Sequence, residues 1–187
     1  MSGQNELSDL ANLLAERNGV DARIAAIIGR PAQAGHLGEY IASAILGIQL
    51  EASAVQAGYD GRFRDGPLAG KTVNIKMYGK REGLLDINEE HVPEFYLVLA
   101  GPKSPALTSK GSTRPFVIKE VFLFDAPALI ARVRKRGVKL GVATSVISEE
   151  WETARIFPSS SKAPLALSDQ QMGLLRLFDP KQTSAVR

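Results

Sequence analysis

Cysteine is absent from this chain of 187 residues, which excludes disulfides, thiolate zinc sites and cysteine nucleophiles. Histidine is nearly absent too. His36 and His91 are the only two, too few for a histidine-rich metal centre. Apolar runs such as Tyr96 to Ala100 are the length of a buried strand and fall far short of the roughly 20 residues that span a bilayer as a helix. The first residues hold no basic segment leading into an apolar one, so the expectation is a soluble, cytoplasmic protein with no membrane partner. Several familiar sites are missing as motifs: there is no Gly-x-x-x-x-Gly-Lys-Ser/Thr loop, no Gly-x-Ser-x-Gly elbow and no His-Glu-x-x-His helix. The glycines from Gly35 to Gly47 lack the preceding strand and the spacing of a dinucleotide fingerprint. Neither an internal repeat nor a low-complexity domain is present.

What the chain does have suits one core with short appendages. Hydrophobic residues make up 44% and charged residues 23%, ordinary values for an α/β domain of this length. The formal charge of +3 and a pI near 9.2 are compatible with a polyanionic partner without requiring one.

Leu7, Leu10, Leu13 and Leu14 fall at helical spacing, with Asn18-Gly19 read as a stop, and Val20, Ile24, Ile27 and Ile28 predict a second helix ended by Gly29 before Pro31. These two N-terminal helices, over residues 1–34, either cap the domain or form a homodimer contact. A third helix is predicted from Gly35 to Gly47, with Leu37, Tyr40, Ile41, Ala44 and Ile45 on one stripe and Glu39 pointing away from it. Residues 48–55 have some extended character.

The stretch from Gly58 to Lys76, G-Y-D-G-R-F-R-D-G-P-L-A-G-K-T-V-N-I-K, reads as a β-hairpin. Period-two alternation puts Asn74 and Lys76 on one face of its second strand, where Asp60 joins them across the hairpin, and turns Ile75 toward the core. A basic turn, Lys80-Arg81, follows. Asp86, Glu89, Glu90 and His91 lie in a loop before the apolar strand of residues 95–100, its acids read as solvated charges with a ligand role as the alternative. Residues 101–115 form a long polar loop carrying Lys103, Lys110 and Arg114, read either as a substrate-contacting flap or as disorder. A strand from Phe116 to Phe124 leads into a helix with Asp125 at its N-cap and Pro127 in its first turn. That helix ends in the densest basic cluster, Arg132, Arg134 and Lys135, which serves either the helix dipole or a phosphate backbone. Residues 139–143 are read as a further strand, Ser148 opens a short helix holding Trp151, residues 158–164 form a loop, Ser168 caps a last helix over residues 169–178, and the tail to 187 should fray.

An acid followed across a turn by a polar-x-Lys strand resembles the active site of the PD-(D/E)xK nuclease superfamily, the restriction-endonuclease-like fold. The phrases G-E-Y-I-A-S-A-I-L-G, G-Y-D-G and N-I-K are similar to a small bacterial domain family within it. The resemblance covers about residues 35–143. It implies an α/β fold with an αβββαβ core, a central mixed sheet flanked by helices, here with the two extra N-terminal helices. The core domain would span residues 35–157, and residues 158–187 would add a loop, helix and tail.

By the same resemblance the function is magnesium-dependent hydrolysis of phosphodiester bonds in DNA, in the manner of a restriction enzyme, with manganese as a substitute metal and RNA left open as a substrate. The resemblance makes Asp60, Asn74, Lys76 and Glu39 the catalytic set. Asp60, Glu39, Asn74 and the Ile75 carbonyl would ligate the metal, and Lys80, Arg81, Lys103, Lys110, Arg132, Arg134 and Lys135 would contact nucleic acid. Asn74 departs from the family pattern, which usually has a carboxylate there. Two alternatives follow: a catalytically weakened binding module on the same fold, and an α/β protein in which Asp60 and Lys76 form only a surface ion pair.

Overall fold

The computed structural model describes residues 2–52, 58–103, 115–159 and 163–179. Within them the chain begins with a long helix, α1 (Ser2–Ile28), and a second, α2 (Ala34–Leu46). Strands β1 (Ile48–Leu50), β2 (Gly61–Phe63) and β3 (Thr72–Tyr78) follow, with a short 3₁₀ turn at Gly66–Leu68 between the last two. After β4 (Leu84–Leu85), β5 (Phe95–Ala100) and β6 (Glu120–Asp125) come α3 (Ala126–Lys135), β7 (Thr144–Ser145), α4 (Ser148–Ala154), β8 (Arg155–Phe157) and α5 (Asp169–Arg176).

Six strands form one mixed sheet in the order β1-β2-β3-β5-β6-β8. Only the β3–β5 pair is parallel, with Ile75 opposite Leu97, and the other pairs are antiparallel. β4 and β7 make a separate two-stranded ribbon.

Alternation sorts the side chains onto two faces. Val73, Ile75, Leu97, Leu99, Val121 and Leu123 pack with Ile41, Ala42 and Ile45 of α2 and Leu175 of α5. Tyr96, Val98, Phe122 and Phe124 pack with Leu129 and Val133 of α3 and Trp151 of α4. The protein is therefore α/β with helices on both faces of a mixed sheet. β5 is buried on both faces, which is why its sequence is a continuous apolar run.

Local signals explain several boundaries. Gly47, at φ 67°, adopts the left-handed conformation that closes α2. The Asp125 carboxylate accepts from the Ala128 amide at 2.9 Å and caps α3. Ser168 and Gln171 form a reciprocal capping box on α5, and Gln171 Nε2 ties that helix to the Ile45 carbonyl at 3.0 Å.

Other expectations are corrected. The two predicted N-terminal helices are one continuous helix. Asn18-Gly19 lies inside it because a helix-interior glycine costs only about 1 kcal/mol and does not by itself break the hydrogen-bond ladder. Residues 139–143 are not a strand; pairing there begins at Thr144, since the chain first turns through Gly141 at φ 142° and Ala143 at φ 61°. β6 begins at Glu120 rather than Phe116, and α5 ends at Arg176 rather than 178. The short strands β4, β7 and β8 went unpredicted, because two or three residues carry no readable period. No described helix is long and apolar enough to cross a membrane.

Candidate active site

Asp60 stands where the β2–β3 ladder stops. Its amide donates to the Val73 carbonyl at 3.0 Å, and the register that pairs Gly61 with Val73 puts Asp60 opposite Asn74. Backbone pairing goes no further, so the next inward-facing amide of β3, that of Ile75, would be left without an acceptor. The Asp60 carboxylate takes it: Ile75 N donates to Asp60 Oδ2 at 2.6 Å. Gly61 is needed beside it, because a Cβ there would lie 2.5 Å from the Gln49 carbonyl oxygen of β1. The hairpin and the acid are thus fixed together.

Glu39 reaches the same region from the other layer. A Cβ on Gly38 would fall 2.8 Å from that of Met77, so the Gly-Glu pair lets α2 lie close against β3. Glu39 pairs with Arg30 from the turn between α1 and α2. Burial raises the Asp60 pKa above its ordinary value; the Ile75 amide opposes this, the Glu39 carboxylate adds to it, and Lys76 and Arg30 oppose it.

Lys76 projects from the face of β3 opposite Ile75, its Nζ 5.6 Å from the centroid of the Tyr96 ring. Burial lowers its pKa, against the pull of Asp86 first and Asp60 second. Asp86 is no free loop charge. It is half-buried, its Oδ1 accepts from the Ala143 amide at 2.8 Å, and its own amide donates to the Tyr78 hydroxyl at 3.1 Å. With Lys76, Asn88, Glu90, Gly141 and Val142 it lines an open pocket of about 450 Å³.

Asp60 and Lys76 are both half-buried, and burial disfavours the charged form of each. The sign follows from Asp60. A raised folded pKa means that the protonated form is the one the fold favours, a contribution complete below the unfolded pKa and lost as pH rises through the folded value. Asp60→Asn keeps an acceptor for Ile75 and carries no charge. It is expected to raise the melting temperature by roughly 2–4 °C at neutral pH, with the gain vanishing below about pH 4. Thermal melts of both proteins across that range check it; a gain that grows on acidification would contradict the assignment.

Asp60, Glu39 and Asn74 offer oxygen donors of the kind that magnesium takes. Asn74 Oδ1 is buried without a hydrogen-bond partner among the described residues, across the strand pair from Asp60. Among the described residues no three histidine, cysteine or acidic side chains converge. An all-protein cage is not required, since magnesium keeps several waters and uses one or two carboxylates.

The predicted nucleic-acid contacts divide. Arg81 is corrected: it is only 7% exposed, bonded to Glu120 Oε2 at 2.7 Å and lying over the Phe122 ring at 5.4 Å, so it serves the core. Lys80 is mostly covered and paired with Glu82. Arg132 and Arg134 are exposed but hold Glu150 at 2.7 Å and Glu89 at 2.6 Å. Lys103 and Lys135 are exposed. Lys110 and Arg114, with most of the predicted flap, lie outside the described residues.

Sequence reasoning missed Arg30, Asp86 and Tyr96. Only Tyr96 left a signal, two residues before Val98 on the face that Lys76 shares. No protein-family model matches the chain, and no curated protein matches it.

Proposed function

We propose that the chain is a cytoplasmic, magnesium-dependent endonuclease that hydrolyses phosphodiester bonds in DNA, a restriction-type enzyme with a PD-(D/E)xK-like site on a restriction-endonuclease-like core. The observation that supports this most is the pairing of a hairpin-locked, desolvated Asp60 with a desolvated Lys76 and a second acid, Glu39. Asp60, Glu39, Asn74 Oδ1 and the Ile75 carbonyl are the groups that would hold the metal. Bound there, magnesium supplies Lewis acidity and charge for the phosphoryl oxygens.

The chain's own residues have separable tasks. Lys76, whose lowered pKa brings its neutral form nearer to working pH, orients the attacking water and can accept its proton. The Ile75 amide holds the Asp60 carboxylate in one orientation, so no rearrangement is needed at the moment of reaction. Lys103, Lys135, Arg132 and Arg134 supply charge for the backbone, the last two after giving up an exposed ion pair that is worth about 0–1 kcal/mol.

A second reading, a binding module with a weakened site, is favoured by the neutral Asn74 and by Arg30 already paired with Glu39. Supercoiled plasmid separates the two. Nicking with magnesium or manganese, and none with EDTA, is the expected result. Retention of DNA without cleavage in any metal supports the binding module, and neither retention nor cleavage removes nucleic acid as the partner; an RNA substrate in parallel decides between the two polymers.

A further inference from the structure

Over most of its length the apolar stripe of α1 has no partner among the described residues. Leu10, Leu13, Val20 and Ile27 are 51%, 60%, 49% and 69% exposed, whereas Ile24 and Ile28, in the last turns where α1 leans on α2, are only half-covered. Six exposed large side chains on one 27-residue helix are too many to leave to water. The spacing is that of a two-helix seam: Leu10, Arg17 and Ile24 fall at one core position of a seven-residue repeat and Leu13, Val20 and Ile27 at the other.

The flanking charges say what covers the stripe. The position that precedes each first core residue is occupied by Asp9, Glu16 and Arg23, acidic toward the N-terminus and basic toward the C-terminus. Two copies running antiparallel bring Glu16 of each against Arg23 of the other, twice by symmetry. Two copies running parallel would instead set Glu16 against Asp21 of the other copy, two like charges. Neither Glu16 nor Arg23 has an ion-pair partner in its own chain among the described residues. Arg17, the one polar residue on the seam, is held by Asp21 at 3.6 Å and serves to fix the register.

We infer that α1 is a dimerisation arm, and that its occupant is the α1 of a second copy of this chain, antiparallel, in an isologous contact. The arm joins α2 through the turn that carries Arg30, so the dimer contact lies one turn of chain away from Glu39.

The test is light scattering during size exclusion, with circular dichroism as a check on helix content. The wild type is expected near twice the chain mass of 20.1 kDa. Glu16→Arg or Arg23→Glu alone should weaken the dimer at least about tenfold, and Glu16→Arg with Arg23→Glu should restore it. The absence of cysteine makes orientation directly readable. A Leu10→Cys chain mixed with an Ile27→Cys chain should form a disulfide between the unlike chains, while Ile27→Cys alone should not, because the two copies of residue 27 then lie on the order of 25 Å apart. A monomer at every concentration, charge swaps without effect, or ready self-crosslinking of Ile27→Cys would each overturn the proposal.

Discussion

Lys76→Ala and Asp60→Asn are each expected to lower the rate of magnesium-dependent plasmid nicking on the order of 10³-fold or more. The chain stays folded in both. Lys76 sits at the rim of a pocket over the Tyr96 ring rather than inside the core, and an amide at position 60 still accepts from Ile75. Loss of activity in Asp60→Asn together with its gain in melting temperature would show that the carboxylate is kept for chemistry at the expense of stability. Initial nicking rates decide the matter, and a rate within tenfold of wild type for either variant removes the proposed site. Asn74→Glu provides the opposite sign in the same assay: a second anion beside Asp60 should lower the magnesium concentration needed for half activity.

The largest expected effect on stability is at Trp151. Its side chain is 1% exposed, edge-on to Phe122 at 4.7 Å and to Phe124 at 5.0 Å, with the Arg81 guanidinium 6.0 Å from its ring centre. Trp151→Ala removes that packing and leaves a cavity between α4 and the sheet. It should cost about 3–5 kcal/mol, read as a lower urea midpoint at unchanged slope. A loss under about 1 kcal/mol would mean that α4 closes onto β6 without it.

Much of the hairpin and its flanks was legible because their signals are local. Capping by Asp125 and Ser168, the Gly47 stop and the alternation of Thr72 to Tyr78 each depend on residues within a few positions of one another. The continuity of α1 was not, because tolerance of Gly19 depends on the strength of the helix on both sides. Arg81 was misread for a related reason. Its sequence neighbours, Lys80 and Glu82, are those of a surface turn, and only the approach of Glu120, thirty-nine residues away, takes it inside.

The sequence by itself determined the longer strands and the helices after α1, the parity that separates Ile75 from Lys76 on β3, and the absence of thiol and histidine-rich metal chemistry. These follow from side-chain alternation and composition, which no packing can alter. The tertiary structure alone decided which charges are used. Asp86 became a neighbour of Lys76 with its carboxylate held by the Ala143 amide, and Arg30, in the turn after α1, became the partner of Glu39. Burial then moved the Asp60 and Lys76 pKa values in opposite directions. Desolvation and Coulomb forces act through space, so their strength depends on distances that the order of residues along a chain does not encode.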